Sequence, residues 1–477
     1  MIIQNRDELL SHGHVEGRRQ VLDILETGLA AGDPYDNVRK AVRIEGTKLL
    51  IGTAEFPPGP MVPHNITRPR RYPPEPLSFD LDEVGDIYLV GGGKAAQRMA
   101  TALEDILGDR ITDGHVNAKK GDRIALKRVG VTLAGHPSPD EDSVTGAQRI
   151  QDIEQSAKKG DIVFMSESGG GTALMTLPAP GLTLQDIQDV NRILYLEHGA
   201  PMLVANAVRF LLMTLRQKHS RHVGDATLIM ISTDERPPRN PAVLEKPLGI
   251  TDEYEHAIYR LKEYDCWDEI PESVRQFLLR RDPAYGTLRP EEWYDKPHFR
   301  IRVMGPEYML AAAERRAREL GLNATILASS LSNLEARIVG DSMAHIAREI
   351  EQHDRPLQAP AVFLLGGELV VNTGKNPGEG GRNQEFVCGA AVRIAGSRRI
   401  VVGSADSDGS DGPTNYAGGI VDGETCQRAA SAGIDVSEEL RRHNSCGMLR
   451  KLGDAIDTGI LNTNVQDLRV AYVSEKK

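Results

Sequence analysis

Four cysteines in 477 residues, Cys266, Cys388, Cys426 and Cys446, stand far apart with no CxxC spacing. That excludes a disulfide framework and a zinc ribbon, and reads as reduced thiols. Thirteen histidines contain no HExxH pair, so a zincin-type metal centre is excluded too. No run approaches the roughly 20 apolar residues of a membrane span, and the opening Met1-Ile-Ile-Gln-Asn-Arg-Asp7 lacks a signal-peptide core. The expected location is the cytoplasm, with no membrane partner. Positive charge is in deficit: the formal net charge is −11. This argues against a nucleic-acid partner, because gripping a phosphate backbone needs a basic face. A local Lys/Arg site for a small anion stays compatible with it. GxxxxGK[ST], internal repeats and low-complexity tails are also missing.

Glycine is abundant instead, with 47 residues clustered in loops between apolar runs. A chain of this length exceeds one core and should divide into two or three domains. Residues 8–50 read as two helices, the second opening at Asp33-Pro34. Residues 56–76 carry eight prolines and an Arg-Pro-Arg-Arg patch, a loop excursion within the first domain. From Asp86 strands and helices alternate: Ile87–Val90, Val129–Ala134, Asp161–Ser166 and Ala226–Ser232 are the strand candidates. That rhythm predicts a parallel sheet covered on both faces. Residues 235–298 read as a charged helical connection, after which strands resume at Phe299–Met304, Thr325–Ala328, Ala361–Leu365 and Arg469–Val473.

Two glycine turns sit where a strand passes into a helix, the anion-favouring end of a parallel sheet. In Gly91-Gly92-Gly93-Lys94 the lysine faces the helix dipole and is costly unless it serves an anion. In Ser166-Glu-Ser168-Gly169-Gly170-Gly171, consecutive glycines let several N–H groups converge. The alternative for each is a tight packing turn. GxSxG is not matched around Ser168, which weakens a nucleophilic role. His136 and Asp140, in His136-Pro-Ser-Pro-Asp140, lie at the same edge; His136 either meets substrate or bonds structurally. Further on, Gly366-Gly-Glu368 leads through the loop 374–385, with Gly380, Gly381, Arg382 and Asn383, to Asp406-Ser-Asp408-Gly-Ser-Asp411. Close glycine backbone, a forked guanidinium and a carboxylate cluster able to hold Mg²⁺ together suggest phosphoryl chemistry.

These motifs, with Asn206-x-Val-Arg209 and Thr463-Asn-Val-x-Asp-Leu468, resemble in order those of the glycerate 2-kinases of MOFRL type. The resemblance spans about residues 17 to 473. It implies an α/β protein: a Rossmann-like parallel-sheet N-terminal domain, residues 1–249, and a smaller C-terminal α/β domain, residues 250–477. The last segment of the latter either stays there or returns to the first domain. It further implies an active site in the cleft between the domains and ATP-dependent phosphorylation of the 2-hydroxyl of glycerate. Lys94 and Arg382 match the residues tied to catalysis. Gly92, Gly93, Ser168–Gly171, Gly380, Gly381 and Asn383 are the expected nucleotide and phosphate ligands. His136, Asp140, Asn206, Arg209 and Glu385 are expected at the substrate, and Asp406, Asp408 and Asp411 at Mg²⁺. A homodimer is compatible with this reading.

Three segments depart from the family pattern: Arg216–His222, residues 231–249, and Thr458-Gly-Ile-Leu461. Either the substrate differs or nucleotide binding is impaired. Retention of Arg382 and the aspartates favours a different 2-hydroxy acid. The competing classes are an NAD(P)-linked hydroxypyruvate reductase, for which Asp113 is the ribose candidate, and an inactive kinase-like sugar-acid-binding protein.

Overall fold

The computed structural model describes residues 2–61, 76–233, 250, 252–373, 377–461, 463 and 465–476. The Arg-Pro-Arg-Arg patch and most of the 231–249 stretch lie outside them. The described residues gather into two compact units, one from Pro34 to Val303, the other joining the chain up to Asp33 with the chain from Met304 onward. The division expected at 249/250 is therefore displaced at both ends.

In the first unit, β1 (Val42–Glu45), β2 (Lys48–Ile51), β3 (Gly59–Pro60) and β4 (Leu77–Asp80) come first among the strands. β1, β2 and β4 form a small antiparallel sheet, where the sequence reading extended a helix to residue 50. Helix gives way at Val42 because Gly46, at φ +63°, makes a tight hairpin in which Glu45 faces Lys48.

The main sheet holds β3 together with β5 (Ile87–Gly92), β6 (Ile111–Lys119), β7 (Gly130–Ala134), β8 (Ile162–Glu167), β9 (Thr227–Thr233) and β10 (His298–Met304). Its order is β3-β10-β9-β8-β5-β6-β7, with β5 to β9 mutually parallel. The chain starts at β5, builds outward to β7, then returns to build β8 and β9 on the other side. This is the doubly wound order, and it makes the β5/β8 junction a topological switch point. Every residue of β5 and β8 is buried, as expected for parallel strands covered on both faces. β6, absent from the sequence reading, lies between β5 and β7; its Ile-Thr-Asp-Gly-His-Val-Asn-Ala-Lys run alternates too little to declare itself.

Residues 250–303 belong here because the helices Glu253–Glu263 and Glu272–Arg280 bury Tyr254, Leu261 and Phe277 against Ile187, Leu194 and Val208. Thr183 and Asp186 form a capping box at the start of Leu184–Val190.

The second unit holds β11 (Asn323–Glu335), β12 (Ala361–Val370), β13 (Ile400–Asp406), β14 (Gly418–Asp422), β15 (Ala455–Ile456) and β16 (Asp467–Val473), in the order β11-β12-β16-β13-β14-β15. Only the β11/β12 pair is parallel among these neighbours. The last strand, β16, is central in this sheet and does not return to the first unit. The helix Val15–Ala31 packs here as well. A Cβ at Gly28 would come within 2.3 Å of Leu468, and one at Gly403 within 2.6 Å of Val21. Its Arg18, fully buried, reaches Asp422 at 2.6 Å and Asp454 at 2.8 Å. An amphipathic helix announces a buried face but not which sheet receives it.

The helices Ala336–His353 and Arg382–Ile394 cross closely, since a Cβ at Gly340 would sit 2.0 Å from the Phe386 carbonyl and one at Gly389 2.3 Å from that of Arg337. This contact fixes the helix that starts with Arg382. Among the described residues, no helix is long and apolar enough to cross a membrane.

Candidate active site

In the first unit, the turns after β5 and β8 interlock. The Lys94 N–H donates to the Gly169 carbonyl at 2.8 Å, and the Ala95 N–H to the Ser168 hydroxyl oxygen at 2.9 Å. Ser168 is thus occupied at the start of the Ala96–Leu107 helix, in keeping with its weak case as a nucleophile. Glycine is required at two positions of this interlock. At Gly93 (φ +136°) a Cβ would come within 2.6 Å of the Ser168 carbonyl. At Gly170 (φ +83°) one would lie 3.0 Å from the His136 ring and 3.3 Å from Lys94 Cγ. So Lys94, His136 and the glycine turn, distant in sequence, meet at the switch point.

Burial, then the nearby charges of Lys94 and Lys119, pull His136 down to about 4. Its imidazole is therefore neutral near pH 7 and offers hydrogen bonding rather than charge or strong basicity. Asn117, overlooked in the sequence, braces the site from β6. Its side chain donates to the Leu174 carbonyl at 2.7 Å, and its own carbonyl accepts the Gly93 N–H at 3.3 Å.

Other expected ligands of this unit have structural employment. Asp140 caps the helix Glu141–Ser156 in a capping box with Ser143 and pairs with Lys120 at 2.6 Å. Burial opposes its ionisation, but Lys120 and the Gly135 and Ser143 N–H groups hold it at about 2. Arg209 lies buried on the helix Met202–Arg209, donating to Asn191 at 2.6 Å and to Asn206 at 2.5 Å. Burial lowers it to about 10.

Of the rewritten 216–222 segment, Arg216 reaches the glycine turn. Its Cζ is 3.5 Å from a Cβ built at Gly171, and it pairs with Glu167 at the end of β8. Lys218 donates to the Phe210 and Met213 carbonyls, and burial lowers it to about 7. His219 pairs with buried Glu154 at 2.7 Å, and His222 meets the Thr214 carbonyl at 2.9 Å. Arg221 forks onto Glu292 at 2.6 and 3.0 Å. Asp113, the ribose candidate, pairs with Arg149 at 2.5 Å and sits beside Tyr88, near the amino end of its strand. Ligands of such sheets bind at the carboxyl end.

In the second unit Arg382 opens its helix with every guanidinium nitrogen engaged. Nε reaches Asp467 at 2.8 Å, Nη2 reaches Asp406 at 2.6 Å, and Nη1 reaches Glu368 at 3.1 Å. Asp467 also accepts from Asn383 at 3.0 Å and pairs with buried Arg469. Burial resists its charge, but Arg382 and Arg469 keep its carboxyl below the usual range. Burial and the neighbouring Asp467 push Asp406 well above that range. Asp411 accepts the backbone N–H groups of Asn383 at 3.1 Å and Gln384 at 2.8 Å, and so caps the helix from a distant loop. Burial raises it to about 6 against those two bonds.

Gly380 and Gly381 are squeezed between the Asp411 loop and Ser445: a Cβ at Gly381 would fall 2.5 Å from the Asp411 carbonyl, and one at Gly380 2.3 Å from Ser445 Oγ. The Gly381 N–H donates to Gln384 at 2.8 Å. Glu385, expected at the substrate, is fully buried, with His443 Nδ1 3.4 Å away. Burial pushes its carboxyl up to about 7. The rewritten Thr458–Leu461 segment lies on the Asp408–Gly409 turn, the Leu461 N–H donating to the Asp408 carbonyl at 2.9 Å.

The expected Mg²⁺ set does not assemble. Asp406 is committed to Arg382 and Asp411 to a helix start, while Asp408 holds its own turn through Ser410 at 2.8 Å. Among the described residues, no group of three or more His, Cys, Asp or Glu is arranged to hold a metal ion. Sequence reasoning also passed over Glu368 and Asp467 as ligands of Arg382. Both stand inside glycine- and asparagine-bearing motifs already singled out, so the signal was present but its target was not.

A family model described as a domain of unknown function, DUF4147, matches residues 20–217, and the MOFRL family model matches residues 361–467. The chain is similar to the glycerate 2-kinase of Pyrococcus horikoshii, 34% identical over 96% of this chain and 99% of that one. It is similar to the D-glycerate 2-kinase of Thermotoga maritima, 33% identical over 81% of this chain and 90% of that one. A crystal structure of glycerate kinase from Thermotoga maritima superimposes with a TM-score of 0.76 at 29% identity, covering 95% of this chain and 99% of that one. With both family models in order along a chain of this likeness, the protein belongs to the glycerate 2-kinase family of MOFRL-type, alcohol-accepting phosphotransferases.

Proposed function

We propose that this chain transfers the γ-phosphoryl group of ATP to a hydroxyl, the 2-hydroxyl, of a small 2-hydroxy carboxylate of the glycerate class. ATP enters as its magnesium complex, the cation travelling with the nucleotide; such ions are held largely by substrate phosphates and water. The observation that carries the reading is the meeting of Lys94, His136 and the Gly169–Gly171 turn at the β5/β8 switch point. Arg382, held by two buried aspartates, is the second cation the reading assigns to the reaction.

Phosphoryl transfer asks the protein for alignment and for positive charge around the transferring oxygens, with little covalent chemistry. The glycine turn presents N–H groups to phosphate, Lys94 adds a mobile charge, and Arg382 a fixed fork. Neutral His136 orients the acceptor by hydrogen bonding. One rewritten segment touches these parts, at Arg216 beside Gly171, and another lies at Leu461 beside Asp408. A site that hydrogen-bonds its substrate discriminates by as much as about 10⁴-fold. On that basis the preferred acceptor differs from, or is larger than, plain glycerate.

The test is an ATP-consumption screen over D-glycerate, the erythronate and threonate isomers and longer aldonates. One acid should stand out in kcat/KM. Binding of an acid with no ATP turnover on any of them would leave the inactive sugar-acid-binding reading instead. Thermal protection by NAD(P)H but not by Mg²⁺–ATP would favour a reductase, against which the placement of Asp113 already speaks.

A further inference from the structure

Arg382 is held by three carboxylates of unequal standing. Asp467 and Asp406, on Nε and Nη2, have side chains 0% and 4% exposed. Glu368, on Nη1, is 50% exposed. It follows Gly366-Gly367 near the end of β12, where it is the one exposed residue of the strand. A buried pair broken on one side leaves an uncompensated charge, so Asp467 cannot be exchanged cheaply, and Asp406 is buried with its oxygen on Nη2. An exposed pair contributes little and gives way to a competing anion.

We propose that Glu368 is a displaceable counterion of Arg382: an incoming oxyanion, phosphoryl or carboxylate, takes its place on Nη1 while Asp406 and Asp467 keep the guanidinium aimed. This rests on the reading that Arg382 binds a ligand anion. It gives the glycine-glycine-glutamate at the end of β12 a role in selecting ligands. Only an anion that binds the fork better than a tethered carboxylate enters, and its charge never meets an unshielded arginine. Asp406 and Asp467 are positioning residues on this reading, since they hold Nη2 and Nε of Arg382.

The test uses calorimetric titration of the full chain at low ionic strength with two probes, inorganic phosphate and D-glycerate, in wild type, Glu368→Gln, Arg382→Gln and the double variant. Glu368→Gln should tighten at least one probe by roughly threefold to tenfold, because a competing charge is gone. The gain should shrink in high salt and vanish in the Arg382→Gln background. Tightening for phosphate alone places a phosphoryl group on Nη1; tightening for D-glycerate alone places the carboxylate there. Unchanged or weaker binding in Glu368→Gln, where Arg382→Gln does weaken binding, overturns the counterion role and leaves Arg382 as an anion site. If Arg382→Gln changes nothing either, the anion-binding reading of Arg382 falls with it. A loss of about 100-fold in kcat in Glu368→Gln at unchanged probe affinity would also overturn the proposal, since Glu368 would then act on the acceptor hydroxyl.

Discussion

Asp467, fully buried on β16, accepts Arg382 Nε at 2.8 Å from the first residue of a helix that begins 85 positions earlier. The pairing sets the angle of the guanidinium, and Asn383 and Arg469 lock the aspartate in turn. Asp467→Asn should therefore damage both fold and turnover. Leaving Arg469 without its carboxylate should cost about 3–5 kcal/mol in denaturant unfolding. At temperatures where the variant stays folded, kcat should fall by at least about tenfold with a smaller change in KM for ATP. Wild-type kcat in a folded Asp467→Asn protein would dissociate the pairing from catalysis.

Lys94→Ala and Arg382→Ala should each lower kcat by about 10²-fold or more while the far-ultraviolet spectrum is unchanged. Near-normal turnover in either variant removes that residue from the mechanism.

Gly170→Ala tests the meeting of three elements. The position has φ +83° and a Cβ there would press on His136 at 3.0 Å. Strain of about 1–2 kcal/mol is expected in the fold. The ring and Lys94 must also shift, so kcat/KM should fall by about tenfold or more. A loss of stability alone, with kcat/KM intact, would show that the turn only packs.

The basic 216–222 segment should divide in function as it divides in contacts. Arg216→Ala, beside Gly171, should raise KM for the acid or for ATP. Arg221→Ala, tied to Glu292, should leave both constants alone and lower stability by about 1–2 kcal/mol. Equal kinetic effects from the two variants would contradict this division.

Glu385 predicts a pH dependence. Its folded-state value, about 7, lies above the ordinary 4.5, so the folded protein holds a proton that the unfolded chain releases. The stability this contributes is complete below about pH 4.5 and is lost as pH rises toward 7. A Glu385→Gln variant lacks that loss. Relative to wild type it should gain on going from pH 5 to pH 8, by up to about 3 kcal/mol. Parallel curves across this range would mean that Glu385 does not titrate in the window.

Much of the first unit was legible because parallel strands buried on both faces are continuous apolar runs, and β5 and β8 each end in a glycine turn. β6 was not, because its polar positions hide the period. In the second unit the glycine loops and Arg382 stood out, while their partners did not. Asp411 caps a helix that begins 29 residues before it in the chain, and β16 inserts between β12 and β13, pairings that no local window contains. The aspartates read as metal ligands are engaged with a helix start (Asp411), their own turn (Asp408) and Arg382 (Asp406). Carboxylate spacing in a loop does not say which way each side chain turns. The N-terminal helix was read correctly as a helix and assigned to the wrong unit for the same reason.

The most direct test of the central claim follows phosphorus through the reaction of the wild-type protein with Mg²⁺–ATP and its best acid. Phosphorus NMR should show ADP and one new phosphomonoester in equal amounts, with the ester phosphorus coupled to the hydrogen on the carbon bearing the 2-hydroxyl. Release of inorganic phosphate without a new ester, or no change with any of the acids, would contradict the assignment of this chain as a 2-hydroxy-acid kinase.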